Sequence, residues 1–145
     1  MALVYIDSSV LVSIALGDAR GAPALAVIGS RDACTSGLSA VECQAGLSVQ
    51  YSAEPGGLPS AEQALNAVFS RMQIIQLTDG VLSQARTLVR RHRSGIGLRT
   101  LDAIHVASVT EVQNLLGAGT VEYVTADRRQ HGAFTAEGFA GVLLT

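Results

Sequence analysis

The chain has 145 residues, is 48% hydrophobic and only 15% charged, and carries a formal net charge of −2. That length suits one domain with one hydrophobic core, and the composition excludes a disordered chain. The charge excludes a protein that grips nucleic acid with its whole surface, so any such contact must be local. All ten basic residues are arginine, which removes P-loop, Schiff-base and general-base lysine chemistry. No apolar run approaches the roughly 20 residues that span a bilayer. The start, Met1-Ala2-Leu3-Val4, lacks a basic leader region, so no signal peptide is expected. Cys34 and Cys43 stand in apolar surroundings and read as buried free thiols. A cytoplasmic location is expected.

In chain order, Leu3-Val4-Tyr5-Ile6 reads as a buried strand that runs straight into Asp7. Residues 8–16 predict a short helix, ended by Gly17-Asp18, and Ala22 to Ile28 a second one with Pro23 near its start. Ala33–Ser36 is a short strand, followed by a helix from about Ala40 to Val49 with Ser39 as N-cap. Tyr51 to Pro59, with Pro55, Gly56 and Gly57, is a loop. Ser60 is expected to cap the next helix, and Gln73–Leu77 is the next strand. Thr78 or Asp79 caps a helix through about Arg93. A largely apolar helix runs from Thr100 to about Leu116, Val121–Thr125 is a strand, and residues 128–133 form a short helix or turn. Ala140–Leu144 is a last edge strand. Strands alternating with helices predict a three-layer α/β/α fold around a mostly parallel sheet of four to five strands. Gly95-Ile96-Gly97 lacks the context of a cofactor loop, and Gly37-Leu38-Ser39-Ala40-Val41 lacks the second glycine of a nucleophile elbow.

Four acids stand out by position. Asp7 ends the first strand, Glu42 and Asp102 lie in first turns of helices, and Asp127 follows the Val121–Thr125 strand. In a parallel sheet these places share one edge, so all four would face one crevice. Each also has an ordinary explanation. Asp7 and Asp127 read as N-caps, Ser39-Ala40-Val41-Glu42 fits a capping box, and Asp102 suits a helix N-terminus. If the four do meet, they repel one another unless a cation holds them. An all-oxygen donor set without a His/Cys cluster specifies a hard ion, Mg²⁺ or Mn²⁺. His105, one turn after Asp102, reads first as a satisfied core histidine.

These segments resemble the PIN domain: Ile6-Asp7-Ser8-Ser9, then Val41-Glu42-Cys43-Gln44-Ala45-Gly46, then Leu101-Asp102-Ala103-Ile104-His105-Val106-Ala107, then Val124-Thr125-Ala126-Asp127. The likeness covers essentially the whole chain, and within the family it is nearest to VapC-type toxins of bacterial toxin–antitoxin pairs. It implies a Mg²⁺-dependent ribonuclease, usually a homodimer, held inactive by a small antitoxin. Asp7, Glu42, Asp102 and Asp127 would be the catalytic metal ligands. One departure is visible: the family often has an aromatic or aliphatic residue about three positions after the fourth acid, where this chain has Gln130.

Ser9 is expected to hydrogen-bond a ligand or a bound water. Arg128 and Arg129, beside Asp127, and a helical stripe of Arg86, Arg90 and Arg93 are candidate phosphate contacts. Few aromatics argue against stacking along a long single strand, and for a structured or short RNA. An apolar groove between the helices of residues 8–28 and 40–49 would suit a partner helix. The competing function is a non-catalytic PIN-like module that binds RNA or antitoxin, with the acids as caps. Aspartyl phosphatases need a second Asp where Ser9 stands, and receivers need a lysine, so both are excluded by missing groups.

Overall fold

The computed structural model describes residues 2–145. Five strands form one wholly parallel sheet: β1 (Leu3–Ile6), β2 (Ala33–Ser36), β3 (Gln73–Ile75), β4 (Val121–Thr125) and β5 (Gly141–Leu143), in the order β3-β2-β1-β4-β5. The expectation of a mostly parallel sheet is thus sharpened to an entirely parallel one. Seven α-helices cover it: α1 (Ser8–Leu16), α2 (Gly21–Ile28), α3 (Leu38–Gln50), α4 (Leu58–Phe69), α5 (Asp79–Ile96), α6 (Thr100–Leu116) and α7 (Arg128–Ala136).

Strand alternation divides the core into two layers. Val4 and Ile6 of β1 pack with Val10 and Leu11 of α1, Cys43 and Leu47 of α3, and Leu65 of α4. Tyr5 points the other way, into Leu88 of α5, Val106 of α6 and Phe134 of α7. Phe134 is fully buried and stacks on Tyr123 with ring centroids 4.5 Å apart. At the sheet's edge Gly141 pairs with Tyr123, and a Cβ there would collide with the Tyr123 carbonyl and ring, so only glycine fits.

Several element boundaries differ from the sequence expectation. Ser39 is not an N-cap. Helix α3 starts earlier, at Leu38, with Ser36 Oγ accepting the Leu38 N–H at 3.2 Å, and Ser39 is buried inside the helix. Ser60 is not a cap either: α4 begins at Leu58, and Pro59 supplies the pre-set first-turn backbone. Helix α5 continues past Arg93 to Ile96, where Gly97 takes φ +67° and ends it. Helix α7 reaches Ala136 rather than stopping near residue 133, and β3 ends at Ile75 rather than Leu77. Helix α2 gains Gly21 at its start, and residues 55–57 of the expected loop form a single 3₁₀ turn. Among the described residues, no single helix is long and apolar enough to cross a membrane.

Candidate active site

From β1 the sheet grows outward in both directions, with β2 and β3 on one side and β4 and β5 on the other. The crevice at the carboxyl ends of β1 and β4 is therefore the topological switch point, where open α/β sheets bind ligands. Asp7 sits there and is 3% exposed. The β1–β4 register pairs Tyr5 with Tyr123 and Ile6 with Val124, which brings the next residues, Asp7 and Thr125, side by side.

Both carboxylate oxygens of Asp7 are engaged. Ser9 Oγ donates to Oδ1 at 2.6 Å, the Val10 N–H donates to the same oxygen at 3.3 Å, and Thr125 Oγ1 donates to Oδ2 at 2.5 Å. The Ala126 N–H donates to Ser9 Oγ and the Asp127 N–H to Thr125 Oγ1, both at 3.0 Å, so the β4–α7 turn is tied to the same carboxylate. Burial raises the Asp7 pKa above the ordinary carboxylate value, opposed by His105, the two hydroxyls and the Val10 amide. Asp7 is thus both the N-cap of α1 and a buried carboxylate at the crevice.

Glu42 does not return to the Ser39 amide, so the expected capping box is absent. Ser39 Oγ is spent instead on Thr35 Oγ1 at 2.6 Å, and Thr35 in turn donates to the Ile6 carbonyl at 2.6 Å. Glu42, released, reaches His105 Nε2 at 2.5 Å with its Oε1. His105 is 2% exposed, and its Nδ1 meets the Tyr5 hydroxyl, also at 2.5 Å. Burial, then the nearby Asp7 charge, pushes the Tyr5 pKa well above its ordinary value, so this phenol keeps its proton. Asp102 is 6% exposed, and its Oδ2 accepts the Arg99 N–H at 3.3 Å across the first turn of α6. Gln130 is buried and donates to the Asp102 carbonyl at 3.2 Å. The residue that departs from the family pattern therefore ties α7 to α6. Asp127 is half-buried and caps α7, its Oδ1 accepting the Arg129 N–H at 2.8 Å and the Gln130 N–H at 3.3 Å.

Asp7 and Asp127 stand at the ends of β1 and β4 and Asp102 in the first turn of α6; Glu42, expected in a first turn, lies just past the first turn of α3 because that helix starts at Leu38. Their side chains are nonetheless not gathered into a cage: among the described residues, no three His, Cys, Asp or Glu side chains converge as a metal site. The all-oxygen donor set and the buried charge of Asp7 fit a hard divalent cation. Holding one would need Asp127 to turn from the α7 amides it caps, whereas Glu42 keeps one oxygen free of its His105 contact. Tyr5, Thr125 and Gln130 were not anticipated as site neighbours, and His105 faces the site as well as filling the core. For Thr125 the only sequence signal was its place at the end of β4, level with the acid of β1.

The arginines divide. Arg128 and Arg129 are exposed at the start of α7. Arg86 and Arg90 line a surface groove of about 770 Å³ between α5 and α6, whereas Arg93 turns to the Leu98 carbonyl at 3.4 Å, so the three do not act as one stripe. The expected apolar groove is also displaced. A cavity of about 220 Å³ lies among Ile14 of α1, Leu25 and Ile28 of α2, and Val68 and Met72 at the end of α4, without α3. Cys34 and Cys43 are buried free thiols whose pKa values burial pushes up to about 12, which removes thiolate chemistry.

The family model that matches this chain is the PIN domain, over residues 4–132. A search of the curated proteins gave no match. Among solved structures, the fold resembles VapC20 from Mycobacterium tuberculosis, described as a sarcin-ricin loop cleaving toxin, at TM-score 0.69 and 21% identity over 97% of this chain and 98% of that one. It also resembles VapBC2 from Rickettsia felis, bound to a DNA fragment of its promoter, at TM-score 0.68 and 14% identity over 99% of each chain. A toxin–antitoxin complex from Klebsiella pneumoniae aligns at TM-score 0.66 and 18% identity over 98% of this chain and 96% of that one. With a family match over nearly its whole length and the five-stranded parallel sheet those structures share, the chain belongs to the PIN domain family.

Proposed function

We propose that this chain is a metal-dependent endoribonuclease of the VapC type, the toxin half of a cytoplasmic toxin–antitoxin pair. The observation that carries it is Asp7: a carboxylate buried at the sheet's switch point, its charge opposed by burial, with Asp102 and Asp127 at neighbouring element ends and Glu42 just past the first turn of α3. A buried carboxylate raised in pKa at a cleft is a functional-site signature. Asp7, Glu42, Asp102 and Asp127 would hold Mg²⁺, with Mn²⁺ as a substitute. When bound, the ion supplies activation of water and stabilisation of charge on a phosphodiester. The chain's own residues fix the rest. Ser9 and Thr125 lock both Asp7 oxygens in place. Gln130 anchors the turn that carries Asp102. Arg128 and Arg129 stand beside Asp127, where they would meet RNA phosphates. The cavity among α1, α2 and α4 would receive an apolar side chain of the antitoxin, and the active species is a homodimer.

The acids' present roles favour a second function, a non-catalytic module that binds RNA or antitoxin. Asp7, Asp102 and Asp127 each accept the backbone N–H groups expected of helix caps. Total RNA incubated with Mg²⁺ or Mn²⁺, beside EDTA and the Asp102→Asn variant, separates the two when new ends are mapped. The nuclease gives defined ends only with metal, and Asp102→Asn lowers the rate by roughly two to three orders of magnitude, the several kcal/mol that a metal supplies. Equal fragments in EDTA, or unchanged cleavage by the variant, would rule the nuclease out.

A further inference from the structure

We propose that Tyr5 and His105 form a buried positioning pair that sets the orientation of Glu42, with the His105 Nε2–H donating to Glu42 and Nδ1 accepting from Tyr5. This rests on the metal-dependent assignment above and extends it to residues outside the four acids. An ionised carboxylate only accepts, so the 2.5 Å contact between Glu42 Oε1 and His105 Nε2 requires the proton on Nε2. The other ring nitrogen, Nδ1, lies 2.5 Å from the Tyr5 oxygen. The buried Tyr5 O–H has no other acceptor among the described residues, so it donates to a bare Nδ1.

The placement reaches toward the acids on every side. Tyr5 precedes Asp7 by two residues and shares its face of β1. His105 follows Asp102 by three residues and shares its face of α6. The fixed imidazole then fixes one oxygen of Glu42. Glu42 Oε2 has no hydrogen-bond partner among the described residues and is the atom left to meet a cation. Outer partners that orient a ligand in this way typically change metal affinity by about 10- to 100-fold when removed.

The test has a readout free of activity. In metal-free protein labelled with ¹⁵N-histidine, the resonance removed by His105→Gln identifies His105. The pair predicts a protonated Nε2 and a bare Nδ1 near pH 7. In Tyr5→Phe, which keeps the ring and removes the hydroxyl, that tautomer preference is lost. Mn²⁺ affinity, read by electron paramagnetic resonance, falls by roughly 10- to 100-fold in His105→Phe. His105→Gln, which keeps an N–H donor where Nε2 stood, recovers most of the affinity. A bare Nε2 in the wild type overturns the inference, and so does wild-type Mn²⁺ affinity in folded His105→Phe, the nuclease assignment then standing. If His105→Phe does not fold, Tyr5→Phe decides by the same two measurements. A wild type that binds no Mn²⁺ overturns both.

Discussion

Asp7→Asn should abolish metal-dependent RNA cleavage and, in the same protein, raise the melting temperature of the metal-free form. The loss of activity is expected at roughly 10³-fold or more, about 4 kcal/mol of transition-state stabilisation. The gain in stability follows from the burial of the charge. Burial raises the folded-state pKa of Asp7 above its unfolded value of about 3.9. Stability from the protonated carboxyl is therefore fully present below the unfolded pKa and is lost as pH rises through the folded pKa. At neutral pH the ionised carboxylate is a liability that asparagine does not share. Asparagine also keeps the contacts: its oxygen accepts from Ser9 and the Val10 N–H, and its amide donates to Thr125 Oγ1. An increase of about 3 °C at pH 7, roughly 1 kcal/mol for a chain of this size, should shrink toward zero near pH 4. Thermal melts of wild type and variant across that range check it. A variant less stable than wild type at pH 7 would show that Asp7 is held as a favourable cap and nothing more.

Mn²⁺ or Mg²⁺ should stabilise the wild type strongly. A ligand at a hundred times its dissociation constant adds about 2.7 kcal/mol, which here corresponds to a rise of roughly 8 °C. The rise is expected because a cation relieves the buried charge of Asp7 and lets the neighbouring acids approach one another. Asp7→Asn and Asp102→Asn should each remove most of it. Dispersed helix caps give no metal-dependent rise, so melts with and without the ion separate the nuclease from the binding module. The order of effects matters as well: asparagine at position 7 should raise the metal-free melting temperature while flattening its response to Mn²⁺.

The fold was largely legible because its signals are local. An apolar run into Asp7, the turn glycines, and the apolar helix after Thr100 each place an element without reference to the rest of the chain. The parallel sheet follows from their alternation. Residues whose partners lie far away in sequence were the ones misjudged. Ser39-Ala40-Val41-Glu42 satisfies the capping-box pattern, yet Ser39 is drawn inward by Thr35 and Glu42 across to His105, 63 residues on. Tyr5 and His105 are separated by 100 residues, and Thr125 and Asp7 by 118. No periodicity announces such pairs; only the sheet order does. The helix ends differ for another reason: α3 and α4 start at Leu38 and Leu58, ahead of Ser39 and Ser60, whose side chains fit the N-cap preference. Gln130 shows the same limit: its amide is buried against the backbone of Asp102, 28 residues away in sequence.

The central claim is that Asp7 and its neighbours hold a divalent cation. Diffraction from crystals soaked in Mn²⁺, collected at a wavelength where manganese scatters anomalously, tests it most directly. The expected map has an anomalous peak in the crevice between the ends of β1 and β4, within coordinating distance of Asp7 and of at least one of Glu42, Asp102 and Asp127. Saturating Mn²⁺ with no peak at Asp7, and Asp7, Asp102 and Asp127 still capping their helices, would contradict it.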